Sequence, residues 1–231
     1  MLKPLRVMAG ILLCALVSAP LQSTQAQTTP VSDAQQLVDK SKLTAEKMLN
    51  DPQLNTLRGW MRSAKGVLIV PSFLKAGFVI AGAGGSGVLL SRDAGGNWSA
   101  PAFYTIGEGS FGLQGGVQDA EMIMVIMTDK GMNALINSEV KLGADASIAV
   151  GEVGAGVEGS TTAGLGKDIY TYSKTSGLYG GASVEGAWVK SRDSLNAEYY
   201  GKSATPRAIV IEHKFNNNGA DALRNVLATP R

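Results

Sequence analysis

Residues 172–201 combine a regular alternation of side chains with several glycines, and few folds accommodate both. From Leu178 onward, Leu178, Ala182, Val184 and Trp188 fall on one side of an extended chain, with polar residues between them. A period of two predicts a strand with one buried face. Glycines inside a strand mark a bulge, a bend or a close backbone approach. This stretch therefore predicts a curved sheet or a small barrel with these four side chains inside.

The spacing of apolar residues elsewhere predicts one α+β domain, with N-terminal helices, a curved, mainly antiparallel, glycine-rich sheet or partial barrel, and a short C-terminal helix. An apolar run at 121–128 predicts a central strand buried on both faces. Residues 169–172 form a predicted hairpin with the strand that follows them. The other predictions are helices at 33–49 (capped by Asp33), 51–64, 129–137 and 220–227, strands at 66–70, 77–81, 88–91, 98–106 and 140–150, and a loop at 151–168.

The first residues have the pattern of an export signal. Lys3 and Arg6 precede an apolar run at 7–17, and small residues lead to Ala26. This order is typical of a secretory signal peptide, and the apolar run is short for a membrane span. We predict a signal peptide at 1–26, a linker at 27–32 and a single domain at 33–231. The expected location is the periplasm or cell envelope, peripheral to the membrane.

Charge is unevenly distributed along the predicted mature chain. Without Lys3 and Arg6 it holds 19 basic and 19 acidic residues. Residues 31–92 carry eight basic and four acidic residues, whereas residues 93–231 carry eleven and fifteen. This asymmetry indicates either an anionic partner for the N-terminal part or ion pairing between the two parts. A neutral, exported chain is not expected to bind nucleic acid.

The two N-terminal helices carry the candidate binding residues. Lysines flank the apolar stripe of the first helix, and cations at i, i+4 and i+7 project from one face of the second, near an indole. Such groups suit phosphate headgroups at a membrane surface. A solvated face, or a helix packed on the domain, remains the alternative. The candidate lipid-binding residues are Lys40, Lys42, Lys47, Arg58, Trp60, Arg62 and Lys65.

Enzymatic chemistry finds little support in the sequence. The G-x-G-x-x-G match at 82–87 leads into an apparent strand, whereas a dinucleotide site needs a helix there. His213 is the only histidine, no G-x-S-x-G elbow is present, and Cys14 lies in the predicted leader. Metal-ligand clusters are absent from the sequence pattern. We therefore predict a non-enzymatic protein without cofactor or metal. An outer-membrane barrel is disfavoured by the helical N-terminal third.

Six motifs in order resemble the SYLF family, a lipid-binding domain of bacterial exported proteins and of eukaryotic actin-patch and trafficking proteins. The resemblance covers roughly residues 35–228. The motif segments are Ala64–Val67 with Pro71, Gly77–Phe78, Gly96–Pro101, Ser110–Gly115, Tyr172–Gly186 and Asn196–Gly201.

The resemblance implies binding of phosphoinositide or other anionic phospholipid through a basic amphipathic N-terminal helical region. Some members of the family bind actin, but an exported chain is not expected to meet it. The competing hypothesis is a periplasmic small-ligand carrier or an envelope scaffold whose sheet or core does the binding. We interpret five motif residues as structural: Trp98, Tyr172, Glu185, Asn196 and Tyr199.

Overall fold

The structure, a computed structural model, describes residues 31–77, 80–111, 116–137, 139–151, 166–175, 178–180, 184–201 and 204–228. The predicted signal peptide, residues 27–30 of the predicted linker and most of the predicted loop at 151–168 lie outside these ranges. The helices are α1 (Asp33–Leu49), α2 (Asn55–Met61), α3 (Asp129–Asn137), α4 (Asp193–Tyr200), α5 (Pro206–Val210) and α6 (Asp221–Ala228). The strands are β1 (Gly66–Gly77), β2 (Ile80–Ser91), β3 (Ala102–Phe111), β4 (Gly116–Ile126), β5 (Val140–Lys141), β6 (Ile148–Val150), β7 (Ile169–Thr175), β8 (Leu178–Gly180) and β9 (Trp188–Ser191).

These strands form one curled sheet, so the predicted α+β class with a partial barrel is confirmed. The strand order is β5-β9-β3-β2-β1-β4-β7-β6, and β8 pairs with β7. The β6–β7 pairing is parallel, and the other pairings between described strands are antiparallel. The predicted hairpin of β7 and β8 is confirmed. The curled sheet supports helices on both of its faces.

Both faces of the central strands are buried. Along β4, Met122 and Met124 contribute to one apolar core, and Ile123 and Val125 to the other. Helices α3 and α5 pack on the first core, and α1, α2, α4 and α6 pack on the second. The continuous apolar run at 121–128 produces this arrangement, because a strand covered on both faces has no polar side. The sheet therefore lies between two helical layers.

The glycine-rich segment at 82–87 lies inside strand β2. The three short strands predicted at 66–70, 77–81 and 88–91 prove to be two strands of 12 residues each. The register of β1 against β2 shifts between Ile69 and Ser72, at Pro71. The bulge places one extra residue on β1 at this point, so the ladder of hydrogen bonds continues although Pro71 has no backbone N–H to donate. Glycine on β2 lets the chain pass this bulge, because a Cβ on Gly85 would lie 2.3 Å from the carbonyl oxygen of Ser72.

The prediction for residues 178–191 is wrong in one respect. Val184 is buried, but Trp188 is 39% exposed and does not share its face. The reason is a turn at Gly186, whose φ is +87°, which shifts the alternation so that Ala187 and Val189 point into the core.

Several predicted element boundaries also differ. Helix α4 follows β9 directly and was not predicted. The predicted strand at 140–150 is two short strands, and the predicted second helix is a 3₁₀ turn at Pro52–Leu54 followed by α2. Ser32, not Asp33, caps α1. The predicted strand at 98–106 begins at Ala102.

A buried carboxylate joins β6, β7 and α3. Asp168, which is 6% exposed, accepts hydrogen bonds from the hydroxyl of Thr128 at 2.5 Å and from the Ser147 backbone N–H and hydroxyl at 2.9 and 2.8 Å. The Lys130 ammonium lies 3.5 Å away. Burial alone would raise the pKa of Asp168, but these hydrogen bonds outweigh it and lower the pKa to about 2. The ionised form therefore stabilises the fold.

We expect Asp168→Asn to destabilise the protein by ~2 kcal/mol at pH 7, as a pKa depressed from 3.8 to about 2 implies. Because the folded-state pKa is the lower one, this contribution is present above about pH 4 and is lost as the pH falls towards 2. Urea unfolding of the wild type and the variant across this range measures it. Glu139→Gln, at an exposed carboxylate, is the control. A gap of constant size between pH 7 and pH 2 would contradict the assignment.

Candidate functional site

Helix α1 separates an inner apolar face from an outer charged one. Its inner side packs on the sheet and on α6 through Ala34, Val38, Ala45, Met48 and Leu49, all of which are buried. Lys40, Leu43 and Lys47 follow at spacings of three and four residues, so they lie together on the outer side. Leu43 is 60% exposed. An apolar side chain between two ammonium groups forms what we call the α1 ridge.

One lysine of the ridge is tied to the sheet. Lys47 forms an ion pair with Glu121 of β4, and the Thr44 hydroxyl donates to the same carboxylate at 3.1 Å. Lys42 pairs with Glu46 on the next turn of the helix, at 3.0 Å. Lys40 is exposed and has no ion pair within the described ranges.

Arg58, one of the predicted lipid-binding residues, has a structural position. Its guanidinium donates to the carbonyl oxygens of Leu49 at 3.0 Å and Asp51 at 2.7 Å, and to the side chain of Asn55. The last carbonyls of a helix have no partner within the helix, and cations there also suit its dipole. Arg58 therefore holds the end of α1 against α2.

Trp60 also packs within the protein. Its ring stacks on that of Tyr170 in β7, with centroids 4.5 Å apart and planes 10° from parallel. It is half-buried against the second core, on the same face as α1. Leu43, which the sequence analysis did not select, is instead a large apolar side chain that α1 exposes.

A shallow basic groove lies where α2 leads into β1 and where β2 ends. Its volume is about 440 Å³, and the cationic side chains that line it are those of Arg62, Lys65 and Arg92. Arg62 is exposed, and Lys65 forms an ion pair with Asp129 at 3.1 Å. The turn at 93–96 completes the wall. We call this set the Arg92 groove.

Arg92 is the fixed cation of the groove. It donates to the carbonyl oxygens of Arg62 at 2.6 Å and Gly96 at 3.2 Å, and its guanidinium lies 5.9 Å from the ring centroid of Trp98. Asp93, the acid of the groove, accepts hydrogen bonds from the side chain and the backbone N–H of Asn97, which lower its pKa. The Asp93 carboxylate is therefore engaged by its own turn. Among the side chains that line the groove, three are cations and one is an acid.

The structure thus divides the seven predicted residues. Lys40 and Lys47 share the α1 ridge, Arg62 and Lys65 share the Arg92 groove, and the remaining three, Lys42, Arg58 and Trp60, have partners within the protein. Leu43 could have been found from helical spacing alone. Arg92 could not, because it is 30 residues from Arg62 in sequence and meets it only through the pairing of β1 with β2.

Among the residues that the structure describes, no three His, Cys, Asp or Glu side chains gather as metal ligands. None of the helices in these ranges has the length and apolar character needed to cross a bilayer.

A family of known proteins matches the C-terminal part of this chain. The sequence model described as "Ysc84: Las17-binding protein actin regulator" matches residues 107–229, more than half of the chain. The matched residues run from within β3 to the C-terminus of α6. The α1 ridge and the Arg92 groove precede them.

Curated relatives match a longer stretch. Protein YSC84 of Saccharomyces cerevisiae is 30% identical over 170 residues, which is 72% of this chain and 36% of the yeast protein. SH3 domain-containing YSC84-like protein 1 of Xenopus laevis is 33% identical over 58% of this chain and 41% of its own length. LAS seventeen-binding protein 3 of yeast is 31% identical over 65% of this chain and 33% of its own length. This chain thus spans well under half of each relative.

The expectation that actin is an unlikely partner for an exported chain is wrong. The matched family is described as an actin regulator that binds Las17, and a relative is named a LAS seventeen-binding protein. For the matched proteins, these descriptions point to partners among actin-regulatory proteins. They name binding and regulation, not an enzymatic reaction.

The two arginines give a test of the assignments above. We expect Arg58→Ala to lower the free energy of unfolding by roughly 1.5–3 kcal/mol, because the partly buried carbonyl oxygens of Leu49 and Asp51 lose a charged donor. Arg62→Ala, at an exposed side chain, should change it by less than about 0.5 kcal/mol. Urea titrations of both variants measure the difference. Equal stability of the two would show that Arg58 does not hold the end of α1.

Proposed function

The chain belongs to the Ysc84 family, also called SYLF, and we propose that it binds anionic phospholipid through the α1 ridge and the Arg92 groove. The observation that carries this proposal is the exposed Leu43 between Lys40 and Lys47 on a helix whose other side is buried. Such a helix can lie in the membrane interface, with its apolar side chain among the headgroups. In an exported chain the contact would be made from the periplasmic side.

The charges available for this contact are sufficient for reversible binding. Each Lys or Arg near an anionic surface adds about 1 kcal/mol. Lys40 and Arg62 are available at once, whereas Lys47 and Lys65 must exchange a carboxylate for a phosphate. The side chains of Lys47 and Lys65 are about half exposed. The pair of Lys65 with Asp129 is exposed on both sides and contributes only ~0–1 kcal/mol, so its exchange costs little. The carboxylate of Glu121 is only 25% exposed, so the release of Lys47 costs more.

The two surfaces have different roles in the proposal. Leu43 supplies apolar contact, and the ridge lysines hold the helix at the surface. The Arg92 groove offers a guanidinium whose position is already fixed by two carbonyl oxygens, so little conformational entropy is lost when a phosphate binds. Arg62 and Lys65 can then close on the same phosphate from the other wall of the groove.

Vesicle sedimentation tests the proposal. Vesicles with 30% phosphatidylglycerol should pellet the protein, and vesicles of phosphatidylcholine alone should not. Arg62→Glu with Lys65→Glu should lower the partition coefficient by about 30-fold or more, since two cations contribute ~2 kcal/mol. Lys40→Glu with Leu43→Ser should weaken binding by a similar factor. Binding should fall as salt is raised.

Lys141→Glu, a reversal at an exposed lysine of edge strand β5, is the matched control and should bind as the wild type does. If both double variants keep the fold and bind as tightly as this control, the lipid contact lies elsewhere on the protein. Loss of binding in the control as well would indicate that net charge alone is responsible.

The names of the relatives favour a second candidate, a protein partner of the actin-regulatory kind. The family match at 107–229 favours a surface built from β3 to α6 rather than from α1 and α2. Co-sedimentation of the purified chain with filamentous actin is the direct measurement. We expect the chain to pellet with the filaments and to stay soluble without them. A chain that stays in the supernatant at saturating filament concentration rules out direct filament binding.

A further inference from the structure

The turn that follows strand β2 is built around the side chain of Asp93. Its carboxylate accepts hydrogen bonds from the backbone N–H of Asn97 at 2.7 Å and from the side-chain amide of Asn97 at 3.1 Å. The backbone closes the same loop, since the Asp93 N–H donates to the Asn97 carbonyl oxygen at 2.9 Å and the Gly96 N–H donates to the Asp93 carbonyl oxygen at 3.0 Å. Gly96 has a φ of +87°, which favours glycine. We call residues 93–98 the Asp93 turn.

The Asp93 turn holds the guanidinium of Arg92. An isolated β-bridge pairs Arg92 with Trp98 across the open end of the turn. The carbonyl oxygen of Gly96 accepts a hydrogen bond from Nε of Arg92 at 3.2 Å, and the ring centroid of the buried Trp98 lies 5.9 Å from the guanidinium carbon. A Cβ on Gly96 would lie 3.4 Å from Nη2 of Arg92. The turn therefore restricts where the guanidinium can lie.

Part of the donor capacity of Arg92 is left for a ligand. Nε donates to Gly96, and Nη1 donates to the carbonyl oxygen of Arg62 at 2.6 Å. Within the described ranges Nη2 has no acceptor, and no carboxylate forms an ion pair with this guanidinium. Asp93 is adjacent in sequence, but Asn97 engages its oxygens. A guanidinium with free N–H groups on both of its terminal nitrogens can donate two parallel hydrogen bonds to one phosphate.

We propose that Asp93 is a positioning residue of the Arg92 groove, and that the Asp93 turn directs the Arg92 guanidinium for two parallel hydrogen bonds to a phosphate. Asp93 does not touch the phosphate and acts only through the turn and Arg92. The inference rests on the function proposed above, in which this groove meets a lipid phosphate. The chemistry that the groove recognises is the phosphate group itself, whether a lipid headgroup carries it or it is free in solution.

The proposed role of Asp93 is opposite in sign to the effect of its charge. By charge alone, an acid beside an anion site weakens anion binding, so its removal strengthens binding. As a positioning residue, Asp93 strengthens binding, because a guanidinium that is already held in place loses less conformational entropy when the phosphate binds. Weaker binding after the loss of a negative charge is therefore a result that charge alone does not produce.

Titration of the full chain with inorganic pyrophosphate, followed by the backbone amide and arginine Nε–H resonances, tests this. We expect the wild type to bind with a dissociation constant in the millimolar range or tighter, and Asp93→Ala to weaken binding by about tenfold. Asp93→Asn keeps an oxygen that can accept from the Asn97 N–H, so it should bind at least as tightly as the wild type. Glu139→Ala, which removes an exposed acid elsewhere on the chain, is the matched control and should bind as the wild type does.

Gly96→Ala tests the same turn without changing any charge. Alanine is strained at a φ of +87°, so the turn and the guanidinium must shift, and we expect binding to weaken by about tenfold. Gly82→Ala is the control, because a Cβ at this exposed glycine would meet no atom within 4 Å. Thermal unfolding checks that each variant keeps the fold. If Asp93→Ala does not fold, a Gly96→Ala variant that binds as tightly as Gly82→Ala overturns the proposal.

The proposal is also overturned if a folded Asp93→Ala variant binds pyrophosphate as tightly as the wild type or more tightly, or if the wild type does not bind it at 20 mM. Vesicle sedimentation of the same variants separates this role from the lipid function. A wild type that shows the expected pyrophosphate pattern but does not pellet with phosphatidylglycerol vesicles supports the role of Asp93 and contradicts the lipid function. A wild type that pellets no better than Asp93→Ala keeps the lipid function and overturns the role of Asp93.

Discussion

The central strands β1 and β4 are apolar on both sides, and the rest of the molecule is arranged to cover them. On β1, Val67 and Ile69 contribute to one core, and Leu68 and Val70 to the other. A sheet of this kind needs a helical layer on each face. Helix α1 meets that need with its inner side. Its outer side is then left to the surroundings, which is why the exposed Leu43 and its lysines can meet a partner.

Positive charge in the N-terminal region serves two purposes that the sequence alone does not separate. Arg58 holds the end of α1 through backbone carbonyls, and Lys42 pairs along the helix. Arg62 and Lys65 instead face a groove together with Arg92. The charge asymmetry along the chain therefore has two sources: cations that have partners within the protein, and cations that line its surface. The number of cations that could contact an anionic surface is therefore the number in the sequence minus those that have partners within the protein.

Local patterns were predicted well, and features that depend on distant contacts were not. The bounds of α1 and α3 match the prediction, because apolar spacing and a boundary signal determine each helix locally. Trp188 was misplaced because the left-handed turn at Gly186 reverses the alternation, and a glycine gives no sign of its φ in sequence. The contribution of Arg92 depends on strand register, which apolar spacing does not specify.

The ion pair between Lys47 and Glu121 joins helix α1 to the middle of the sheet. If a bilayer phosphate binds the Lys47 ammonium, the carboxylate of Glu121 loses its cation and keeps the hydrogen bond from the Thr44 hydroxyl. Docking would then loosen the very helix that makes the contact. Amide hydrogen exchange in the second half of α1 would consequently quicken when the protein settles on a membrane, so the attached state would be locally softer than the dissolved one.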